Sequence, residues 1–245
     1  MGSSYFYLEF LLAWVTLLKE VGYQNPALFA LDYSLVPDAV FPTQLQETMA
    51  GYEWVLSKVR DPCQICVSGD SAGAILILSF LLYASDHPVF KDCRPELAIL
   101  ISPWVKLVSG MNVNTASDYL DSDSLERYGR EYCGPDLPLH DPLASPGHCE
   151  DKKKWEAATP RRGWHFVFGS EEVLARGTRM LIRFLDSIPV QVGWDGETGL
   201  IHAWPVASFY LGETTQERLA GLGHIIDVIV DQIPVSGSSA TSQDE

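Results

Sequence analysis

Short apolar runs alternate with longer amphipathic segments along most of this chain. Runs of about five to seven residues rich in Val, Ile and Leu read as buried strands, whereas apolar positions at helical spacing predict helices. Strands alternating with helices are typical of a mostly parallel sheet with helices on both faces, the α/β class. The predicted strands are residues 27–33, 64–68, 97–102, 164–168 and 190–194, and the predicted helices are residues 5–18, 43–59, 71–85, 123–133, 171–185 and 214–233.

Two regions lack this pattern. Residues 104–160 show turn signals and no clear strand, with one helix expected near residues 123–133, and are predicted to be less regular. Residues 236–245 are small and polar, which predicts a disordered tail. A length of 245 residues fits one large α/β domain, so we expect a single domain over residues 1–235.

Charge and hydropathy limit the partners of the chain. Asp and Glu total 32 against 17 Lys and Arg, for a net charge of −15, which disfavours nucleic acid and anionic membranes as partners. Residues 5–18 are apolar but too short for a membrane span. No Lys or Arg precedes this run and Glu9 interrupts it, so we interpret it as a buried helix rather than a signal peptide.

Cysteine usage favours a reducing compartment. The five cysteines are odd in number and scattered, which makes a poor disulfide framework. Cys63 and Cys66 have no second pair to complete a zinc site, and Cys66 lies in a predicted strand, so a structural thiol is expected. These observations predict a cytoplasmic protein without a metal or a cofactor.

The sequence Gly-Asp-Ser-Ala-Gly at residues 69–73 carries the most chemical information. It lies between a predicted strand and a predicted helix, which is the context of a nucleophile elbow, a sharp turn that lifts a serine hydroxyl above a parallel sheet. The turn forces the serine into strained backbone, and side chains at Gly69 and Gly73 are expected to clash with strand and helix. Ser71 is therefore the candidate nucleophile.

Several segments resemble, in order, the hormone-sensitive-lipase-like branch of the α/β-hydrolases. The matches extend over about residues 3–230, and their order is the specific part of the resemblance. It implies an esterase fold with a Ser–acid–His triad. The matching segments are Asp-Tyr-Ser-Leu-Val-Pro at 32–37 with Phe-Pro at 41–42, the elbow at 69–73, Ile-Ser-Pro-Trp at 101–104, Asp-Pro-Leu-Ala-Ser-Pro at 141–146, Glu-Val-Leu at 172–174 and His-Ala-Trp at 202–204.

The candidate base is His202. A serine hydroxyl needs an adjacent base, and the chain has six histidines. His202 follows the last predicted strand, where the order Ser…acid…His places the base, although a surface-loop role is the alternative. His165 lies in a predicted strand and His224 in the closing helix, so structural roles are expected for both.

The candidate acid lies after the penultimate strand, where Glu171 and Glu172 both qualify. The family's acid-x-Leu pattern selects Glu172. Either carboxylate could instead be an ordinary first-turn residue favoured by the helix dipole. The family more often has Asp at this position.

A second departure from the family concerns the oxyanion hole. The backbone N–H of Ala72, the residue after the nucleophile, supplies one donor, and the family's His-Gly-Gly-Gly segment, which supplies the other, is absent from the sequence. By resemblance the chain begins just after this motif, so we expect an N-terminally truncated form that is poorly stable and nearly inactive.

The resemblance predicts a serine carboxylic-ester hydrolase acting on short or medium acyl esters, with a small-molecule ester as substrate. The alternative is a catalytically impaired or non-catalytic truncated relative that at most binds a small molecule. A peptidase on the same fold is less favoured, because the sequence shows no propeller-like extra domain.

Overall fold

The computed structural model describes residues 4–235, and the predicted tail at residues 236–245 lies outside them. Within that range the chain forms four strands, eight α-helices and two short 3₁₀ turns. In chain order the helices and strands are α1 Ser4–Glu20, α2 Thr43–Val59, β1 Cys66–Asp70, α3 Ala72–Ala84, β2 Leu97–Ile101, α4 Ser122–Cys133, α5 Lys152–Ala158, β3 Trp164–Gly169, α6 Ala175–Leu185, β4 Val192–Glu197, α7 Trp204–Leu211 and α8 Thr215–Gln232.

The four strands form one parallel sheet in the order β1-β2-β3-β4. Cys66 pairs with Leu97 at the start of the first ladder, and Trp164 pairs with Val192 at the start of the last. Parallel neighbours need a crossover connection, and α3 and α6 supply it after β1 and β3. The carboxyl ends of all four strands therefore lie at the same edge of the sheet.

Both faces of the sheet are covered by helices, as the alternation of strands and helices predicts. On β3, Phe166 and Phe168 pack into a core with residues of α2, α3 and α6. Val167, between them, points into the second core, to which α1 and α8 contribute. All five residues of β2 are buried, as expected for a central strand with helices on both sides. The α/β fold class is thus confirmed.

The predicted strand at residues 27–33 is wrong. This segment is in no sheet, and within residues 4–235 β1 pairs with β2 alone. Phe29 is 45% exposed and its ring stacks on Trp54 of α2, with centroids 5.0 Å apart. The run has the apolar composition of a strand but no neighbouring strand to pair with. Propensity alone does not form a β-ladder.

One helix boundary differs from the prediction by several residues, and two helices, α5 and α7, were not predicted. α6 begins at Ala175 rather than at Glu171, so residues 170–174 form a loop after β3. α5 lies in the segment expected to be less regular, where the Asp151 carboxylate caps it by accepting from the Lys154 N–H. α7 follows the candidate base directly and carries Pro205 in its first turn, a position that proline tolerates.

The remaining sequence expectations concern thiols and membranes. All five cysteines are free, and burial raises the pKa of the Cys66 thiol to about 12, which fits a structural thiol. Across residues 4–235, no helix has the length and hydropathy needed to cross a bilayer.

Candidate active site

The candidate nucleophile lies in a strained turn between β1 and α3. Ser71 has φ 51° and ψ −111°, a conformation that costs energy for a residue with a side chain. Its N–H donates to the Ile101 carbonyl at 2.9 Å, and its own carbonyl accepts from Trp104 N–H at 3.2 Å. These bonds hold the turn at the carboxyl ends of β1 and β2, the usual place for a site in a parallel sheet.

Steric crowding requires glycine at only one of the two elbow positions. A Cβ at Gly69 would lie 2.5 Å from the backbone of Gly73, so a side chain there is excluded. A Cβ at Gly73 would meet nothing within 4 Å. The expected clash therefore holds for Gly69 and is wrong for Gly73, because the described chain leaves open space beside the first turn of α3.

The two candidate acids have different surroundings. The side chain of Glu172 is buried, and its Oε2 accepts from Ser102 Oγ–H at 2.7 Å and from Gly169 N–H at 3.3 Å. Glu171 is exposed, and its Oε2 accepts from Ser117 Oγ–H at 2.7 Å. Both precede the first residue of α6, so neither is a first-turn carboxylate of that helix.

His202 is next to Glu172 and is only 2% exposed, unlike a surface-loop residue. Its Nδ1 lies 3.7 Å from Glu172 Oε2, which is longer than a hydrogen bond. Within residues 4–235, His202 Nδ1 and Glu172 Oε1 are both buried and without hydrogen-bond partners. Catalytic hydrogen bonds are often long before substrate binds, so the spacing is compatible with a base and its orienting acid.

The other histidines have other neighbours. The rings of His140 and His148 stack on each other, with centroids 4.5 Å apart. His87 stacks against Tyr83 and Phe90 beyond the end of α3. His165 in β3 and His224 in α8 both contact Asp195, as described further below.

Ser102 joins the acid loop to the histidine loop, and sequence reasoning did not assign it a role. It is fully buried; its hydroxyl donates to Glu172 and accepts from the Ala203 N–H at 2.8 Å. The Ser-Pro dipeptide indicated the end of a buried strand at Ser102 but gave no sign of this hydrogen-bonding role. The Ser102 hydroxyl therefore bonds to both Glu172 and Ala203, the residue after His202.

Asp118 makes a second connection between the same loops and was also missed. Its Oδ2 accepts from Val173 N–H at 2.8 Å, and its Oδ1 accepts from His202 N–H at 3.2 Å. Tyr119 adds a hydrogen bond from its hydroxyl to the His202 carbonyl at 3.3 Å, and its ring packs edge-on to the imidazole. Because these residues lie in an irregular segment, no periodic pattern in the sequence could have indicated them.

Tyrosines surround Asp70, the residue before the candidate nucleophile. Tyr7 of α1 donates its hydroxyl to Asp70 Oδ2 at 2.8 Å. Burial, and then the Asp70 carboxylate, raises the pKa of Tyr7, and the same two causes raise the pKa of Tyr33 to about 12. Burial, then Asp118 and Asp70, raises the pKa of Tyr119 to about 12. All three phenols remain neutral donors at physiological pH.

The oxyanion donor expected from sequence is at the start of a helix. Ala72 is the first residue of α3, so its N–H has no acceptor within that helix and is available to a ligand. The N-terminus of a helix also favours a developing negative charge.

A parallel sheet with a strained serine between its first strand and the following helix defines the α/β-hydrolase class of protein. A family model described as the alpha/beta hydrolase fold matches residues 16–206. The chain therefore belongs to the α/β-hydrolase fold family.

Curated relatives are similar over most of this chain. An acetyl-hydrolase of Streptomyces hygroscopicus is 30% identical over 182 residues, which cover 73% of this chain and 57% of that protein. The putative steryl acetyl hydrolase mug81 of Schizosaccharomyces pombe is 30% identical over 191 residues, covering 74% of this chain and 46% of that protein. The chain thus spans about half the length of the curated relatives it matches.

Solved structures share the fold. A hormone-sensitive lipase from a metagenome library superposes with a TM-score of 0.75 at 24% identity, covering 95% of this chain and 74% of that one. The EstE5 structure soaked with p-nitrophenyl butyrate gives a TM-score of 0.74 at 23% identity, with 95% and 72% covered. Together with the family model, these similarities confirm the resemblance to the hormone-sensitive-lipase-like α/β-hydrolases.

Proposed function

We propose that this protein is a serine carboxylic-ester hydrolase in which Ser71 is the nucleophile, His202 the general base and Glu172 the acid that orients it. The observation that carries the proposal is the buried contact of Glu172 with His202, which Ser102 reinforces. Both loops follow carboxyl ends of strands in the sheet that presents Ser71. A buried carboxylate with an imidazole beside it, at the same edge of the sheet as a strained serine, supports acyl transfer.

The chemistry follows from these positions. His202 takes the proton of Ser71 Oγ as the oxygen attacks the ester carbonyl, and the Ala72 N–H donates to the oxyanion. His202 then protonates the leaving alkoxide, which departs as an alcohol and leaves an acyl-Ser71 ester. A water molecule, deprotonated by His202, then attacks this ester. The bond to Ser71 Oγ breaks, His202 returns the proton to that oxygen, and the carboxylic acid is released. Glu172 stabilises the imidazolium in both steps without being protonated itself.

The proposed substrates are short or medium acyl esters. Two relatives are named as an acetyl-hydrolase and a putative steryl acetyl hydrolase, which supports a small acyl group.

A binding protein without turnover is the second candidate. Residues 4–235 supply the Ala72 N–H as an oxyanion donor, whereas the family's His-Gly-Gly-Gly segment supplies a second one in relatives. The 3.7 Å spacing between His202 Nδ1 and Glu172 Oε2 also fits a pair that is not yet aligned for catalysis.

Replacement of the candidate nucleophile tests the first proposal. Ser71→Ala should lower the hydrolysis of p-nitrophenyl acetate at least roughly 10³-fold, because the remaining groups lack a nucleophile to activate. Ser57→Ala, an exposed hydroxyl on α2, is the matched control and should keep full activity. Equal activity in Ser71→Ala and the wild-type chain would contradict the assignment.

Covalent labelling separates the two candidates. A fluorophosphonate probe should modify Ser71 in the wild-type chain and not in Ser71→Ala, as shown by peptide mass spectrometry. Labelling that also disappears in His202→Gln would support activation by that base. If the wild-type chain shows no labelling and no turnover, the result favours the binding protein.

A further inference from the structure

A second cluster of chemically active side chains lies where β3, β4 and α8 meet. His165 Nε2 is 2.6 Å from Asp195 Oδ2, and His224 Nε2 is 3.0 Å from the same oxygen. One ligand atom from each of the three side chains lies within 4.8 Å of the others. The cluster shares no residue with the proposed triad, because His165 is near the start of β3 whereas Glu172 follows its end.

The backbone makes room for this cluster. A Cβ at Gly193, which pairs with His165 across the sheet, would lie 2.6 Å from the His165 Nδ1. The imidazole therefore occupies space that only a glycine at that position leaves open. A side chain at Gly193 would require this ring to move, and the contact of its Nε2 with Asp195 would change.

One donor atom of the cluster is not satisfied by protein. His224 Nε2 is buried, and its contact with Asp195 lacks hydrogen-bond geometry, so it has no hydrogen-bond partner within residues 4–235. A cation bound between this buried nitrogen and the neighbouring carboxylate would give the nitrogen the partner that it lacks.

We propose that His165, Asp195 and His224 form a binding site for a divalent transition-metal ion of the Zn²⁺ class. Two imidazole nitrogens and one carboxylate oxygen are a common zinc donor set, whereas Mg²⁺ and Ca²⁺ prefer all-oxygen sites. Tetrahedral zinc holds such donors about 3.3 Å apart. The present contacts with Asp195, at 2.6 and 3.0 Å, are shorter than this, and all three ligand atoms lie within 4.8 Å of one another.

The surroundings also suit a cation. The three side chains are partly exposed, at 15%, 35% and 28% for His165, Asp195 and His224, so an ion and a fourth, water ligand can reach the site. The net charge of −15 attracts cations to the chain as a whole. The sequence predicted no metal, since Cys63 and Cys66 lack a second pair; the three ligands proposed here are far apart along the chain and meet only in the folded protein.

Bound metal would fasten α8 to two strands of the sheet. An ion that binds the folded state alone stabilises it by mass action. At a free Zn²⁺ concentration about 100 times the dissociation constant, the melting temperature should rise by roughly 5–10 °C for a chain of this size. Mg²⁺ at the same concentration should leave the melting temperature unchanged.

The experiment uses the full chain after treatment with a chelator and dialysis. Calorimetric titration with ZnCl₂ should give one equivalent of binding, with the matching rise in melting temperature. Asp195→Asn and His224→Gln should each weaken binding at least tenfold. His140→Gln and Asp186→Asn, a histidine and an exposed carboxylate outside the cluster, should bind as the wild type does.

Thiols are the competing ligands, and two measurements exclude them. Cys63→Ser should bind Zn²⁺ unchanged, and the Co²⁺-loaded protein should lack the intense near-ultraviolet bands of thiolate ligation. Binding that survives in both Asp195→Asn and His224→Gln, or that is lost in Cys63→Ser, would overturn the proposal, as would no binding by the wild type. If Asp195→Asn fails to fold, as shown by its metal-free melting curve, His224→Gln decides the outcome.

Discussion

Backbone strain at single residues is concentrated at the candidate active site. Among residues 4–235, five non-glycine residues have positive φ, and three of them are Ser71, Ser102 and Ala203. Ser71 is the candidate nucleophile, and the other two are joined by the hydrogen bond from the Ala203 N–H to Ser102 Oγ. Residues in such conformations persist only where surrounding contacts hold them, and they are frequent at functional sites.

Glu172 and Glu171 provide a matched pair for testing the acid. Glu172→Gln should lower kcat by roughly 10⁴, because a neutral amide cannot stabilise the imidazolium or fix its tautomer. Glu171→Gln should change kcat little, since that carboxylate is exposed and bonded to Ser117. Steady-state kinetics with p-nitrophenyl acetate make the comparison. The reverse order of losses would move the acid to Glu171.

At the scale of elements, the loop between β2 and α4 connects the acid and histidine loops. Thr115 donates to the Glu171 carbonyl, and Asp118 accepts from the N–H groups of Val173 and His202. The loops after β3 and β4 therefore share partners on a third loop. Their relative position is fixed by hydrogen bonds rather than by the sheet alone.

Loss of the Asp118 carboxylate should loosen this arrangement. Asp118→Ala should lower kcat roughly 10–100-fold with a smaller change in KM, because the base shifts relative to the nucleophile. Asp118→Asn keeps one carbonyl acceptor and should recover part of the loss, which marks a positioning role. Asp123→Ala, an exposed carboxylate in the first turn of α4, is the control. Equal effects of Asp118→Ala and Asp123→Ala on kcat would contradict the connection described here.

The closing helix offers a test of local stability. Thr214 caps α8 in a reciprocal capping box with Glu217, and the helix packs against α1 and α7. Thr214→Ala should cost about 1 kcal/mol of unfolding free energy and lower the melting temperature by roughly 2–4 °C. Thr215→Ala, the next residue, removes a similar hydroxyl without a capping bond and should have a smaller effect. The two melting curves, recorded in parallel, decide the matter.

At the scale of the whole molecule, the β1 edge of the sheet differs from the sequence prediction. Within the described residues β1 has a neighbour on one edge only, and open space lies beside Gly73. The sequence predicted a strand at residues 27–33. That segment packs on α2 instead and adds no strand to the sheet.

A version extended upstream with a His-Gly-Gly-Gly loop and the strands before it tests this region. We expect ester turnover to rise by roughly 10²–10³, the usual effect of one oxyanion donor. A higher melting temperature is also expected, because the β1 edge would gain backbone partners. Thermal melting and kinetics of the two versions, side by side, make the test. Equal rates and equal melting temperatures would show that the Ala72 N–H suffices as an oxyanion donor.

Local features of the fold could be predicted from the sequence. The bounds of α2 agree with its apolar spacing, and the elbow follows from glycines and a buried run of β-branched residues. Each of these features depends on residues within about twenty positions of one another, so period and turn chemistry suffice. The order Ser71, Glu172, His202 likewise came from the chain, as a prediction that the kinetics above must test.

Tertiary structure decided whatever depends on distant neighbours. Residues 27–33 have the composition of a strand, yet whether they form one depends on a ladder partner that the segment itself cannot supply. The different surroundings of Glu171 and Glu172 depend on Ser102 and Ser117, which lie 70 and 54 residues away. His165, Asp195 and His224 meet only because parallel register and the packing of α8 bring them together. Sequence patterns report periodicity, whereas such contacts arise only when separate elements pack.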